Sequence, residues 1–280
     1  MWQRKYPYEA VWLSPSSLSD FEKCPRLYYL RNVYKNPATK RKIQIASPFL
    51  SLGTAIHRTI NSISTLPKDV RFNNPLQQIF ENIWQSHSGE VGGFVNEELE
   101  KSFKERGLDM IKRVEKYPGP LSNLALKIEE KIPSMWLSEK ELLVLCGVID
   151  WIEVLSDDSL HIIDFKTGKR DEEGSLQLSI YLLLVKNYFD RETSKTSFWY
   201  LQREKLPTGV DLPDTKVVVK QLIEKGKKIK SLRSQKEILC PSGGCRHCHD
   251  YELIASGKAK HVGVDKLMNK DVYSVQNHKR

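Results

Sequence analysis

Apolar and polar positions follow two different rhythms along this chain, and the change of rhythm divides it. Up to about residue 118 the apolar residues recur at helical spacing. SPSSLSDFEKCPRLYYLRNVY sets Ser and Asp before apolar residues at Phe21, Leu27, Leu30 and Val33, which predicts a capped helix near 17–34. A basic, proline-containing connector follows, NPATKRKIQIASP, and then a second helix, SLGTAIHRTINSI. Residues 73–118 predict further helices, broken at SHSGEVGG and YPGP. The rhythm then shortens. ALKIEEKIPSMWL, KELLVLCGVIDWIEV and SLHIIDFKTG are rich in β-branched and aromatic residues and are parted by short polar turns, so they predict three strands of a meander. SLQLSIYLLLVKNYF predicts a helix with a broad apolar face, TSFWYLQREK an aromatic strand, and DTKVVVKQLIEKGKKIKSLRSQKEI a long basic helix. A cysteine cluster, CPSGGCRHC, precedes a polar tail from about residue 257 that is expected to lack fixed structure.

The 280 residues are 40% hydrophobic, enough for a core. The pattern predicts one mixed α/β domain over residues 1–256, with a helical insertion at about 61–122 and the cysteine cluster at 240–248. No apolar run approaches the roughly 18 residues of a membrane span, so no membrane partner is expected. The start, MWQRKYPYEAVWLS, has no apolar core of a signal peptide, so a cytoplasmic setting is expected, where cysteines point to metals before disulfides. The net charge of +9 suits a polyanion such as nucleic acid.

The chemistry concentrates in the strands. Side chains alternate along a strand, so Asp164 and Lys166 of HIIDFKTGK share one face and Phe165 points to the other. If the turn is Ser156–Asp158, Asp150 of GVIDWIEV stands opposite Asp164. Two carboxylates at that spacing repel unless a positive charge lies between them, and their oxygens suit Mg²⁺ or Mn²⁺. Lys166 then stands beside the ion, able to orient a water or stabilise developing negative charge. A lone D-x-K by itself reads as a surface ion pair; one facing a second Asp across a hairpin is much rarer. Gln177 and Tyr181 lie four apart, on one helix face, just downstream.

These motifs, in this order, resemble the PD-(D/E)xK nuclease superfamily in its RecB-like exonuclease branch. GTAIH resembles the branch's G-x-x-x-H helix and implies His57 as a metal ligand. IEEKI is similar to its acidic strand, implying Glu129, with Glu130 the neighbouring alternative. GVID, IIDFKTGK and QLSIY look like its G-x-x-D, D-x-K and Q-x-x-x-Y motifs, implying Asp150, Asp164 with Lys166, and Gln177 with Tyr181. The resemblance implies a restriction-endonuclease-like mixed central sheet flanked by helices. It implies a metal-dependent nuclease that cuts DNA, an exonuclease on single-stranded ends. Mg²⁺ or Mn²⁺ would sit on His57, Asp150, Asp164 and the Phe165 carbonyl, and Lys166 would position the attacking water. The nearest alternative within the class is a CRISPR-associated spacer-acquisition nuclease; outside it stand a non-catalytic DNA-binding subunit that keeps the fold and a zinc-stapled nucleic-acid binder. Helicases and other repair or CRISPR proteins are the expected partners beside DNA.

Of five cysteines, Cys146 lies in the apolar run LLVLCGVI and reads as core. Cys24 opens C-P-x-x-(aromatic), and Cys240, Cys245 and Cys248 cluster as C-x4-C-x2-C. The layout resembles RecB-like nucleases that carry a [4Fe–4S] cluster. It departs from them in that the extra cysteine precedes the C-x2-C pair. Four thiolates also suit Zn²⁺, and His247 and His249 keep a mixed zinc site open. The basic residues of 216–236 spread round their helix and read as a solvated surface, with non-specific phosphate contact the functional alternative; Lys40, Arg41 and Lys42 could add to it. Tyr28, Tyr29 and Tyr34 are candidates for stacking on bases.

Overall fold

The structure, a computed structural model, describes residues 5–168 and 176–275. Its strands in chain order are β1 (Val11–Leu13), β2 (Lys42–Ile45), β3 (Ala125–Leu126), β4 (Ser134–Ser138), β5 (Leu143–Cys146), β6 (Trp151–Val154), β7 (Leu160–Lys166), β8 (Thr193–Tyr200), β9 (Thr208–Val210), β10 (Lys260–Asp265) and β11 (Lys270–Ser274). The α-helices are α1 (Pro15–Lys23), α2 (Pro25–Tyr28), α3 (Pro48–Ser62), α4 (Leu76–Trp84), α5 (Glu97–Lys116), α6 (Gln177–Tyr188), α7 (Thr215–Arg233) and α8 (His249–Ala255). The class is mixed α/β, as the pattern predicts, with three mixed sheets among the described residues. None of their helices is long and apolar enough to cross a membrane.

The chain divides into two compact units. The first comprises Met1–Pro15, Ile56–Phe80 and Leu108–Ser231. Its five-stranded sheet has the order β3-β6-β7-β8-β9, antiparallel except for the parallel β7–β8 pair. Parallel neighbours need a crossover, and α6 supplies it. Leu178 to Val185 are all buried, so α6 is covered all round. Its fully buried Ile180 and Leu184 contribute about 1.5–3 kcal/mol each. A second sheet, β1-β5-β4, lies in the same unit. α7 approaches it at Gly226, where an added Cβ would come within 2.7 Å of Leu143 Cδ1. Buried Arg71 pins the helical stretch to the sheet: its guanidinium donates to the Leu121 and Asn123 carbonyls at 2.8 and 2.5 Å and lies 5.1 Å from the Trp151 ring.

The second unit comprises Ser16–Ala55, Glu81–Gly107 and Leu232–Arg280. Its sheet is β10-β11-β2, and Leu27, Leu30, Ile43, Tyr251, Ile254 and Tyr273 share a core with Cys24 and Cys248.

Four expectations are corrected. The helix near 17–34 is broken: α1 ends at Lys23, Cys24 is extended (φ −169°, ψ 125°), and a new helix starts at Pro25 and runs into a π-turn at Tyr29–Val33. The ring of Pro25 disfavours helical backbone at the residue before it. KELLVLCGVIDWIEV is not one strand of the meander. β5 pairs with β1 and β4, the chain bends over 147–150, and β6 joins the other sheet. ALKIEEKIPSMWL is likewise split, with 127–133 irregular between β3 and β4. The polar tail is a hairpin. β10 and β11 pair antiparallel, and β11 adds to β2 out of the supposed connector; residues 276–280 lie outside the described part. Alternation shows why the tail folds: Val272 is buried within a sequence too polar to announce it.

Candidate active site and cysteine centre

The β6–β7 ladder pairs Trp151 with Ile163 and Val154 with Leu160, leaving 156–158 as the turn. Asp158 takes the left-handed conformation there (φ 66°). Extended one step, that register sets Asp150 opposite Asp164, as the sequence predicts. Asp150 lies just before β6 and turns both carboxylate oxygens to use. Oδ2 accepts the Phe165 backbone N–H at 2.9 Å, and Oδ1 lies 2.8 Å from His57 Nδ1 on α3. N–H and C=O of one strand residue point the same way, so the Phe165 carbonyl also faces the Asp150 side. The Phe165 ring itself is buried on the other face, 5.9 Å from the Trp199 ring.

Asp164 is 1% exposed. Its Oδ1 accepts the Gln177 side-chain amide at 2.5 Å. Oδ2 is buried and accepts no hydrogen bond; the Lys166 ammonium stands 2.9 Å away without the alignment of one. Lys166 donates to the Gln177 side-chain carbonyl at 2.7 Å, and Gln177 Nε2 also donates to the Tyr181 hydroxyl at 2.9 Å. One turn of α6 thus holds both Gln177 and Tyr181 against the β7 pair. Gly147, in the bend before Asp150, makes room: a Cβ there would lie 3.1 Å from Tyr181 Cε1 and 3.3 Å from Leu184 Cδ1.

Burial, and then the Asp150 carboxylate, push Asp164 up to about 7 against the pull of Lys166 and His57. Burial works to lower His57, but the Asp150 and Asp164 carboxylates outweigh it and raise the imidazole above its usual value. Burial and the same two carboxylates hold Tyr181 far above its ordinary value, so it keeps its proton.

Six expected residues therefore meet: His57, Asp150, Asp164, Lys166, Gln177 and Tyr181. The acidic strand residue does not join their hydrogen bonds. Glu129 is exposed in the irregular stretch, where it lines a cleft of about 160 Å³ with Asn61, Lys127, Lys131 and Asp150. Its neighbour Glu130 is taken by Lys5 at 3.0 Å.

The four outlying cysteines also meet. Their Sγ atoms all lie within 4.8 Å of one another, with Cys24–Cys240 and Cys245–Cys248 at 3.7 Å. Neither His247 nor His249 belongs to the group. Two glycines with positive φ, Gly243 (65°) and Gly244 (131°), turn the chain back between Cys240 and Cys245. The Cys245 carbonyl then accepts the N–H groups of Cys248 and His249 at 3.2 and 3.0 Å, and Cys248 leads into α8. Backbone N–H groups, that of Cys248 first, lower the Cys245 thiol to about 7, while burial pushes Cys248 up to about 12. One residue beside this centre escaped the sequence reading. Arg26 grips Glu252 of α8 with two hydrogen bonds of 2.5 and 2.9 Å and donates to the Ile238 carbonyl at 3.1 Å. Its only signal was its place directly after Cys24-Pro25. Cys146 is buried in β5, as expected. Tyr28 is buried as well, which removes it from the stacking candidates; Tyr29 and Tyr34 are half-buried against the second unit's core.

Compared with curated proteins, the chain has no match. Its agreement with a family model is extensive: residues 12–250 match the PD-(D/E)XK nuclease superfamily. With that span covering most of its length, the bend, the hairpin and the crossover helix that gather Asp150, Asp164 and Lys166 are those of a metal-dependent nuclease, and the chain belongs to the PD-(D/E)XK nuclease superfamily.

Proposed function

We propose that the chain is a Mg²⁺- or Mn²⁺-dependent deoxyribonuclease that degrades DNA from single-stranded ends. The observation that carries the metal is Asp164 Oδ2, a buried carboxylate oxygen that accepts no hydrogen bond and lies on the same face as a second carboxylate. A cation is what such a pair lacks. The donors suit one: two carboxylates and an imidazole, with the Phe165 carbonyl turned to the same side. In this reading His57, Asp150, Asp164 and the Phe165 carbonyl hold the ion. When bound, it neutralises phosphate charge and lowers the pKa of its water.

The chain's own residues supply the rest. Lys166 is held between Asp164 and the Gln177 carbonyl, so its ammonium has one place to stand. From there it orients the attacking water and meets negative charge as it develops on the phosphate. Gln177 fixes both members of the D-x-K pair, and Tyr181 fixes the Gln177 amide. Lys127 and Lys131 along the cleft supply phosphate contact that needs no base readout, and Glu129 acts from the same wall. The preference for DNA ends rests on the likeness of the motif set to RecB-like exonucleases, and a net charge of +9 suits the polyanion. A helicase or another repair or CRISPR protein that exposes single strands is the kind of partner such an activity needs.

Linear single-stranded, linear double-stranded and circular single-stranded DNA, offered with Mn²⁺, test this reading. Degradation of the linear single strand with the circle left intact supports it. Nicking of the circle would make the enzyme an endonuclease. Tight DNA binding without cleavage would favour a non-catalytic subunit that retains the fold.

A further inference from the structure

We infer that the four cysteines hold a single tetrahedral Zn²⁺ ion and not an iron–sulfur cubane. The argument is geometric and does not depend on the nuclease reading. Four thiolates round one zinc, each at about 2.3 Å, lie about 3.8 Å from one another. In a [4Fe–4S] cluster each thiolate binds a different iron at a corner of a cube, which spreads the sulfurs to roughly 6 Å. Cys24–Cys240 and Cys245–Cys248 stand at 3.7 Å, and the whole set lies within 4.8 Å. The spacing is that of one ion.

The surroundings hold that spacing. Cys24 and Cys248 are fully enclosed in a core with Leu27, Leu30 and Ile254. Interiors of that density do not open by a couple of ångströms without repacking. Arg26, two residues after Cys24, is clamped to Glu252, four after Cys248, so the two segments that carry the buried sulfurs are tied together beside the site. Cys245 and Cys248 form a tight knuckle closed by backbone N–H groups on the Cys245 carbonyl. The Gly243–Gly244 turn returns Cys240 to the same point from its own side. The site is a staple: the ion ties the segment at Cys24 to the segment at 240–248, and its binding energy becomes folding energy of this unit.

The full-length chain, produced with both iron and zinc available and purified without oxygen, tests the inference through its metal content. Zinc, iron and acid-labile sulfide are counted per chain, and Co²⁺ is exchanged in as a visible probe. The expected result is one zinc per chain, negligible iron and sulfide, and the strong visible bands of tetrahedral thiolate-bound Co²⁺. Cys240→Ser and Cys245→Ser should each lower zinc content or affinity by more than about tenfold. Four irons and four sulfides per chain would overturn the inference, as would a chain that binds neither metal. Zinc retained in full by both serine variants would overturn it too, because the ion would then sit elsewhere. If the variants do not fold, the wild-type count and the Co²⁺ spectrum still decide.

Discussion

Asp150 and His57 stand 93 residues apart in sequence and are joined by a 2.8 Å contact between carboxylate and imidazole. That contact has a pH consequence. The carboxylates raise His57, and burial with Asp150 raises Asp164 to about 7, so without metal both groups hold protons near neutrality. Metal ligation needs both deprotonated. Mn²⁺ affinity, measured by calorimetry, should fall by about tenfold or more between pH 8 and pH 6.

The same shifts set the sign of a stability effect. A group whose folded pKa is raised stabilises the fold below its unfolded pKa and loses that contribution as pH rises through the folded value. His57 and Asp164 are both raised, so in EDTA the melting temperature should decline as pH rises through about 7. Added Mn²⁺ should restore more stability at pH 8 than at pH 6. Equal gains at both would remove the carboxylate pair as the metal site.

Gln177 tests the support of the lysine. Its amide donates to Asp164 and Tyr181 while its carbonyl accepts from Lys166. Gln177→Glu replaces the donor by an acceptor beside a buried carboxylate. We expect kcat to drop about 10–100-fold with KM little changed. Tyr181→Phe, which keeps the packing, should cost less. A change confined to KM would assign Gln177 to DNA binding instead.

Gly147 separates packing from chemistry. A methyl added there meets the Tyr181 ring and a Leu184 methyl, both on a fully covered helix. Gly147→Ala should destabilise the fold by about 1–3 kcal/mol in denaturant titration. It should also lower activity, because the helix it displaces carries Gln177 and Tyr181. An unchanged midpoint would show that the bend gives way.

A second histidine offers the control. His161 opens the same strand but lies on the opposite face from Asp164, buried between Glu153 at 2.6 Å and Ser197 at 2.8 Å. Burial works to raise Glu153, yet its hydrogen bonds to His161 and Asn123 hold it below its usual value. Glu153→Ala leaves His161 uncompensated and should cost about 3–5 kcal/mol of stability. Mn²⁺ binding by the folded fraction should be unaffected; loss of binding would mean that the two faces are coupled.

The site was more legible in the sequence than the fold that carries it. Alternation placed Asp164 and Lys166 together, and a turn length placed Asp150 opposite, because a hairpin's register follows from its loop. Gln177 and Tyr181 came from helical spacing alone. His57 had no local signal and came through resemblance. What pattern could not reveal was where a continuous apolar run changes sheets. KELLVLCGVIDWIEV has no polar break, so the bend at Gly147 looks like strand. Pro25 did mark a break, but the apolar spacing across it is helical on both sides. β10 and β11 are too polar to stand out, because their sheet buries little more than Val272 and Tyr273 on that hairpin. His161 shows the converse: the sequence cannot tell a buried structural histidine from a ligand, and only its face on the strand does.

Lys166 carries the central claim, since its ammonium is the one cationic side chain on the D-x-K face, fixed by Asp164 and Gln177. The most direct measurement is single-turnover cleavage of end-labelled DNA with Mg²⁺, Mn²⁺ or EDTA, by wild type and by Lys166→Ala, with DNA binding measured alongside. The account predicts metal-dependent cleavage that falls at least about 100-fold in the variant while DNA binding stays within a few-fold. Cleavage at the wild-type rate by Lys166→Ala would contradict it.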